Sequence, residues 1–198
     1  MTKVAGLLLA AGPSTRMGKP KQLLPISGGT LLGHVLDETL KSNLDKVILI
    51  LGHHADKIKK VLGQRLQHPK LKVVENKEYN KGISSSIIVG VLEVKKSHDH
   101  VMILLGDMPN INSSLINLLI YKYLESNLPI GAIKTKAKRS HPVIFSSKMY
   151  HELLELRGDV GARDLFIKYN DRVCLVEPDN FYDDSDIDTP EDYMKLGE

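Results

Sequence analysis

The sequence predicts a single α/β domain in three layers, with helices on both faces of a mostly parallel, Rossmann-like sheet. Strand-like and helix-like segments alternate four times in the first two thirds of the chain. The strand-like segments are continuous apolar runs, which is typical of parallel strands buried on both faces. The chain has 198 residues, of which 42% are hydrophobic and 26% charged, and these values suit one core.

Four buried strands are predicted in this first part, each followed by an amphipathic helix. The strands are expected at 4–9, 47–51, 71–74 and 101–105. The helices are expected at 31–40, 54–66, 84–94 and 113–124. Residues 13–29 are rich in Gly, Pro and Ser and predict a long loop after the first strand.

The pattern becomes less regular after Pro129. Strands are expected at 130–135, 142–145 and 172–176, and helices at 147–156, at 160–169 and from Pro190 onwards. The sequence shows no internal repeat and no low-complexity linker. We therefore expect one domain over residues 1–198. In this fold class, ligands bind at the carboxyl ends of the strands.

Composition and charge exclude several classes of protein. The formal net charge is only +3 and aromatic residues make up 5% without any Trp, so a nucleic-acid partner is not expected. No apolar run approaches the roughly 18 residues of a membrane span, and no signal peptide is apparent before the first strand. Cys174 is the single cysteine, which excludes an internal disulfide or a Cys-based zinc site. We expect a cytoplasmic protein without membrane contact.

The loop after the first strand reads LAAGPSTRMGKPKQ over residues 9–22. It fits neither the Walker A pattern nor the GxGxxG pattern of dinucleotide-binding folds. Its small residues at 10–12 allow close backbone approach to a ligand, and Arg16 and Lys21 can bind phosphate oxygens. On spacing alone, an ordinary charged surface loop is an equally good interpretation.

Three aspartates are candidates for holding a metal ion. Asp107 directly follows a buried strand, and Mg²⁺ in proteins is commonly held by one or two carboxylates plus substrate phosphates. Asp186 and Asp188 share a face if the chain between them is extended. Two structural alternatives remain open: Asp107 as a turn residue, and Thr189-Pro190 as a plain helix start beside Asp188.

Other polar segments carry weaker chemical signals. The serines at 84–86 follow Gly82 and could bind a base or phosphate, or could simply cap a helix. The segments around His141 and Arg163 have no independent chemical argument, and the residues alone favour a loop and a solvated arginine.

Six segments resemble, in order, the motifs of the MobA-like NTP transferases, and among these the MocA-type molybdenum cofactor cytidylyltransferases. The segments are LLLAAGPSTRMGKPKQLLP, VENKEYNKGISSSIIVGV, LLGDMP, HPVIFS, LRGDVGARDL and DIDTPEDY, which span Leu7 to Tyr193. The resemblance implies a fold of the nucleotide-diphospho-sugar transferase type. It also implies a nucleotide-binding half at 1–110 and an acceptor-binding half at 111–198.

The resemblance implies a role for each of these residues. The catalytic residues would be Arg16, Lys21 and Asp107. The metal ligands for Mg²⁺ would be Asp107 and Asp188. The nucleotide-binding residues would be Leu9, Ala10, Ala11, Gly12, Asn76, Gly82, Ser84, Ser85 and Ser86. The acceptor-binding residues would be His141, Gly158, Asp159, Gly161, Arg163 and Asp186. One departure from the family pattern is Ser140, where relatives usually carry Gly.

The implied reaction transfers a nucleoside monophosphate from an NTP to a phosphorylated acceptor and releases pyrophosphate. CTP is expected as the donor, because cytidylyl-transferring relatives carry Ala-Ala-Gly at 10–12 where guanylyl-transferring ones carry Ala-Gly-Gly. A phosphorylated pterin, molybdopterin, is expected as the acceptor, and a molybdenum hydroxylase apo-enzyme as a possible recipient. Two alternatives stay open: a transferase that uses GTP or a sugar or alditol phosphate, and a non-catalytic accessory that only holds the cofactor.

Overall fold

The computed structural model describes residues 2–26, 28–136, 138–178 and 181–196. The strands among these residues are β1 (Val4–Ala10), β2 (Pro25–Ile26), β3 (Gly29–Thr30), β4 (Lys46–Leu51), β5 (Leu71–Glu75), β6 (His100–Leu105), β7 (Ile130–Thr135), β8 (Lys138–Ser146) and β9 (Val173–Val176). The helices are α1 (Leu31–Lys41), α2 (Ala55–Leu62), α3 (Ile83–Val94), α4 (Ser113–Ser126), α5 (Tyr150–Leu154), α6 (Arg163–Lys168) and α7 (Pro190–Lys195).

Seven strands form one sheet in the order β5-β4-β1-β6-β8-β7-β9. The strands β5, β4, β1 and β6 are mutually parallel, and β9 is parallel to β7. Only β8 runs antiparallel to its neighbours in this sheet. It follows β7 within a few residues, and a parallel pairing would need a crossover of about a dozen. The predicted α/β class with a mostly parallel sheet is confirmed.

Two hydrophobic cores lie on opposite faces of the sheet and give the domain its three layers. Helices α1, α2 and α4 cover one face, and α3, α5 and α6 cover the other. Strand β1 supplies both cores: Val4 and Leu8 point to the first face, whereas Leu7 and Leu9 point to the second. Burial on both faces explains why this strand is apolar at successive positions. Within the described ranges, no helix has the length and apolarity that crossing a bilayer requires.

The largest departures from the predicted elements occur near glycines and in the predicted loop. Helix α2 ends at Leu62 instead of continuing to 66, because Gly63 adopts φ +52° and the chain tightens into a 3₁₀ helix. The predicted helix at 160–169 begins only at Arg163, since Gly161 has φ +60°. The predicted loop 13–29 contains two short 3₁₀ turns and the β2–β3 hairpin.

Candidate active site

The principal cavity lies at the carboxyl ends of β1 and β6 and has a volume of about 440 Å³. The loop after β1, the start of α3, the turn after β6 and the segment before α7 form its walls. Most of the predicted site residues line it. These are Leu9, Ala10, Ala11, Gly12, Arg16, Lys21, Gly82, Ser86, Asp107, Asp159, Asp186 and Asp188.

Three carboxylates converge on one side of this cavity. Asp107, Asp186 and Asp188 each offer an oxygen, and these oxygens lie within 4.8 Å of one another. The segment carrying the last two is held by the Ile187 amide, which donates to the Asp107 carbonyl at 2.9 Å. The Ile187 side chain is buried, so its two neighbours face the cavity together. Two carboxylates distant in sequence thus meet as the sequence predicted, and Asp186 joins them.

Helix α7 anchors the C-terminal end of the segment that carries Asp186 and Asp188. Thr189 is its N-cap and accepts a hydrogen bond from the Asp192 amide, while the Asp192 carboxylate accepts one from the Thr189 amide. Pro190 follows in the first turn. A plain helix start at Thr189-Pro190 was predicted as the structural alternative, and it accompanies the carboxylate cluster rather than replacing it.

Both predicted cations contact the carboxylate cluster. The Lys21 ammonium donates to Asp107 and, at 2.6 Å, to Asp188. The Arg16 guanidinium donates to Asp188 at 2.7 Å. Burial on its own would lower the pKa of Lys21, but the two carboxylates outweigh it and raise that pKa above its ordinary value. Burial would raise the pKa of Asp188, but Lys21 and Arg16 keep it below its ordinary value.

The surroundings of Asp186 shift its pKa in the opposite direction from that of Asp188. Burial, together with the negative charges of Asp188 and Asp107, raises the pKa of the Asp186 carboxyl. The family resemblance assigned this residue to the acceptor, whereas the structure groups it with the two other aspartates that the residues alone made candidates for a metal ion. Alternation along an extended segment was the signal that linked Asp186 to Asp188.

The cluster has the donor set of a hard divalent cation. Carboxylate oxygens are the protein ligands that Mg²⁺ and Mn²⁺ prefer. The Asp107 Oδ1 atom is buried and has no hydrogen-bond partner among the described residues. The other Asp107 oxygen, Oδ2, accepts a hydrogen bond from the Lys21 ammonium, so a positive charge already lies beside this carboxylate. The residues present therefore fit a divalent cation.

Gln22 organises the loop after β1, and sequence reasoning missed it. Its buried amide donates to the carbonyls of Ala10 at 3.2 Å and Gly12 at 3.0 Å. The Ser14 hydroxyl donates to Gln22 Oε1 at 3.3 Å and accepts from the Lys21 amide at 3.1 Å. These bonds tie the end of β1 to the residue that contacts the carboxylates. No local sequence signal separates this glutamine from a solvated one.

The wall formed by residues 9–12 packs against the end of β4. The His53 amide donates to the Ala11 carbonyl at 3.1 Å. A Cβ at Gly52 would lie 2.9 Å from the Ala11 Cβ, so the Ala11 methyl fills space that this glycine leaves free. The Ala11 methyl therefore restricts movement of this wall on the side that packs against Gly52.

The opposite wall is the start of α3. Gly82 is the N-cap, with φ +93° and no side-chain capping bond, so the prediction that a serine caps this helix is wrong. Asp159 instead accepts a hydrogen bond from the Ile83 amide at 3.0 Å. A Cβ at Gly82 would lie 2.5 Å from the backbone of Gly158. The loop at 158–161 therefore closes directly onto the start of the helix.

The polar side chains behind this wall bond mainly to one another. Asn76 is buried and donates to the hydroxyls of Ser85 at 2.8 Å and Ser86 at 3.0 Å. Ser85 in turn donates to the Gly82 carbonyl at 2.8 Å. Of these residues, only Ser86 and Gly82 line the cavity. The nucleotide contacts of Asn76, Ser84 and Ser85 remain predictions.

A second cavity of about 190 Å³ adjoins the first and shares Ile83 and Asp159 with it. It holds the remaining acceptor candidates His141, Gly161 and Arg163, while Gly158 lines neither cavity. Burial lowers the pKa of His141, so this imidazole is neutral at pH 7. Arg139 also lines the second cavity, although it was not among the predicted site residues; its guanidinium carbon lies 4.0 Å from the centroid of the Phe166 ring.

Fold and site together define a class of protein. An α/β sheet whose strand ends carry a glycine-containing loop, a lysine and grouped carboxylates is an arrangement for binding a nucleotide polyphosphate. Residues 6–173 match the family described as MobA-like NTP transferase domain, and the chain belongs to this family. The resemblance read from the six sequence segments is thereby confirmed, and the chain is a nucleotidyltransferase-family protein.

Several relatives align over nearly the whole chain. The purine catabolism protein PucB of Bacillus subtilis strain 168 is 31% identical, covering 95% of this chain and 93% of PucB. Nicotine blue oxidoreductase of Paenarthrobacter nicotinovorans is 25% identical, covering 98% and 96%. The crystal structure of Rv0371c from Mycobacterium tuberculosis H37Rv superposes with a TM-score of 0.85 at 30% identity, covering 98% and 97%. The same mycobacterial protein has also been crystallised with manganese.

Proposed function

We propose that this protein transfers the cytidylyl group of CTP to the terminal phosphate of molybdopterin and releases pyrophosphate. One observation carries the proposal. A single cavity combines the loop at 9–22 with the Lys21 ammonium and three converging carboxylates. The loop and its cations suit the phosphates of a nucleotide, and the carboxylates suit a divalent cation bridging them.

The proposed chemistry is an in-line substitution at the α-phosphorus of the NTP. An oxygen of the acceptor's terminal phosphate forms the new P–O bond. The bond from the α-phosphorus to the oxygen bridging toward the β-phosphate breaks, and pyrophosphate leaves with that electron pair. The attacking phosphate is already anionic at neutral pH, so no strong general base is required. Catalysis then consists mainly of positioning and charge stabilisation.

Different residues of the chain would stabilise the phosphate charge and hold the metal ion. Arg16 and Lys21 neutralise charge that builds on the α-phosphate and the leaving group. Asp107 and Asp188, with Asp186 beside them, would hold Mg²⁺ or Mn²⁺, which when bound offsets the negative charge of the phosphates. The mycobacterial relative crystallised with manganese is consistent with a divalent cation here.

The choice of CTP rests on the two walls of the base pocket. A purine is larger than a pyrimidine by one ring, and the wall at 9–12 is pinned by Gln22 and by the contact of Ala11 with Gly52. A pinned wall favours the smaller base. We expect kcat/KM to be higher for CTP than for GTP, and Ala11→Gly to relax this preference. Equal values for the two nucleotides in the wild type would overturn the cytidylyl proposal.

The acceptor is proposed from the family resemblance and from the second cavity. That cavity combines apolar walls with Arg139 and Arg163, a composition that suits an anionic heterocycle such as a phosphorylated pterin. A molybdenum hydroxylase apo-enzyme would then receive the product.

Pyrophosphate release tests the whole proposal. The assay uses CTP and GTP separately, each with and without molybdopterin, and with a sugar phosphate as a matched acceptor. Release that needs both CTP and molybdopterin supports the proposal. Turnover with the sugar phosphate but not with molybdopterin would favour a transferase that uses another acceptor. Binding of CTP without any turnover would favour the non-catalytic accessory.

A further inference from the structure

The Lys21 ammonium lies against two of the three carboxylates of the cluster. Its ammonium contacts both Asp107 and Asp188, and its side chain is only 15% exposed. These two carboxylates are also the ones expected to hold a divalent cation. A lysine ammonium is a compact point charge on a flexible stem, so it can take the place of a small cation.

Charge balance limits how strongly a divalent cation can bind while Lys21 stays there. Three carboxylates, Asp107, Asp186 and Asp188, face two cations, Lys21 and Arg16, which leaves one net negative charge. If Lys21 turns away, the net charge at the cluster becomes −2 and oxygens of both Asp107 and Asp188 become available.

The loop allows this movement without rearranging its backbone. The Lys21 amide is held by the Ser14 hydroxyl, which is itself bonded to Gln22. The ammonium lies several rotatable bonds from this anchor. It can therefore exchange the carboxylates for another set of anionic oxygens while the loop stays fixed.

We propose that Lys21 is the resident counter-ion of the carboxylate cluster and competes with the divalent cation for Asp107 and Asp188. The phosphates of a nucleotide offer Lys21 an alternative partner, so nucleotide binding releases the carboxylates for the metal ion. Metal binding to the nucleotide-free protein is then weak, and metal and nucleotide bind cooperatively. The identity of the polyphosphate rests on the proposed function, whereas the competition itself does not.

The test measures Mn²⁺ binding to the nucleotide-free protein by the loss of the free Mn²⁺ signal in electron paramagnetic resonance. Lys21→Met removes the competing charge, and we expect it to bind Mn²⁺ about 10-fold more tightly than the wild type. Lys19→Met is the matched control, because Lys19 is an exposed lysine of the same loop without a carboxylate contact among the described residues. It should bind within about 3-fold of the wild type.

A second measurement uses the wild-type protein and does not depend on how the variant folds. Amine acetylation, followed by mass spectrometry, should modify Lys21 several-fold faster at saturating Mn²⁺, while Lys19 stays unchanged. A Lys21→Met protein that binds Mn²⁺ no more tightly than the wild type would overturn the proposal, as would an unaltered rate of Lys21 acetylation. Neither experiment involves turnover, so a failed CTP assay would reject the proposed reaction and leave this competition standing.

Discussion

The two sides of the active site are built in different ways. On the side proposed to bind the nucleotide, the loop at 9–22 is pinned by a buried glutamine and by a backbone bond to the end of β4. On the side proposed to bind the acceptor, α6 has only six residues and follows a loop with two positive-φ glycines. Val160 in that loop is 51% exposed, and Arg163 is exposed too.

Under the proposed function, this difference suits one partner of constant chemistry and one of variable shape. Polyphosphate chemistry is the same for every NTP, so a preformed site carries little entropic cost on binding. Acceptors differ in shape, and a wall of short elements can adjust to them. We therefore expect substitutions on the nucleotide side to affect turnover, and those on the acceptor side to affect acceptor choice.

The largest expected effect is at Asp107. Asp107→Ala removes a carboxylate from the cluster and should lower kcat about 1,000-fold, because charge stabilisation of the phosphates is lost. Thermal unfolding should shift little, since this site lies outside the hydrophobic cores. Pyrophosphate release and circular dichroism measure the two effects. Asp171→Ala, at an exposed position that lines neither of the two cavities of the candidate site, is the control and should retain full activity.

A smaller loss is expected at Arg16. Arg16→Lys keeps the charge but not the planar fork that can bind two phosphate oxygens, so kcat should fall about 10-fold to 100-fold. Steady-state kinetics with CTP separate kcat from KM. An unchanged kcat with a raised KM would show that Arg16 contributes only uniform binding. Arg172→Lys, at an exposed site, should behave like the wild type.

Gly82 is where the two sides touch, and its substitution tests how far they are separable. Gly82→Ala places a Cβ against the backbone of Gly158 at a φ of +93°, which should cost about 1–3 kcal/mol of stability. We expect KM to rise for both nucleotide and acceptor, because both walls move. Gly12→Ala meets no such contact and has no positive φ, so chemical denaturation should show it near wild-type stability. A rise in one KM alone would contradict a shared wall.

The smallest effect is expected at Glu38, which lies outside the candidate active site and links α1 to the start of α4. It accepts hydrogen bonds from Lys41 and from the Ser113 amide at the start of α4. The Lys41 contact, followed by the Ser113 amide, lowers the pKa of Glu38 to about 2 from an ordinary value of 4.5. A depressed folded-state pKa gives stability that is present above pH 4.5 and is lost as the pH falls toward 2.

Glu38→Gln should therefore lower the free energy of unfolding by about 1 kcal/mol at pH 7. The difference from the wild type should shrink as the pH falls below 4.5. Urea unfolding at several pH values measures this window. A difference that stays constant from pH 7 to pH 3 would rule out the ionic contribution of Glu38.

The sequence predicted elements best where burial is continuous. Strands β1 and β6 were located to within one residue, because an uninterrupted apolar run of this length has few alternatives to a buried strand. The direction of β8 was not predicted, since an apolar run does not reveal the orientation of its neighbours. Helix ends near Gly63 and Gly161 were missed because glycine tolerates both helical and left-handed backbone.

In the candidate site, too, the sequence identified individual residues but not the contacts that form only in the folded chain. Asp107 could be named from a local pattern because it follows a strand end, whereas Asp188 was chosen as the second metal ligand from the family resemblance. The contact of Lys21 with both of them depends on which strand ends are adjacent in the sheet. The burial of Gln22, and the contact between Gly82 and Gly158, likewise arise only in the folded chain.

The bond between Arg16 and Asp188 joins residues 172 positions apart in the chain. During synthesis on the ribosome, the central parallel strands and their helices can form long before Asp186 and Asp188 have been made. A nascent chain would thus possess the nucleotide loop but only one of the three carboxylates. Under the proposed function, a divalent cation would find its complete set of carboxylates only after the segment that carries Asp186 and Asp188 has been synthesised.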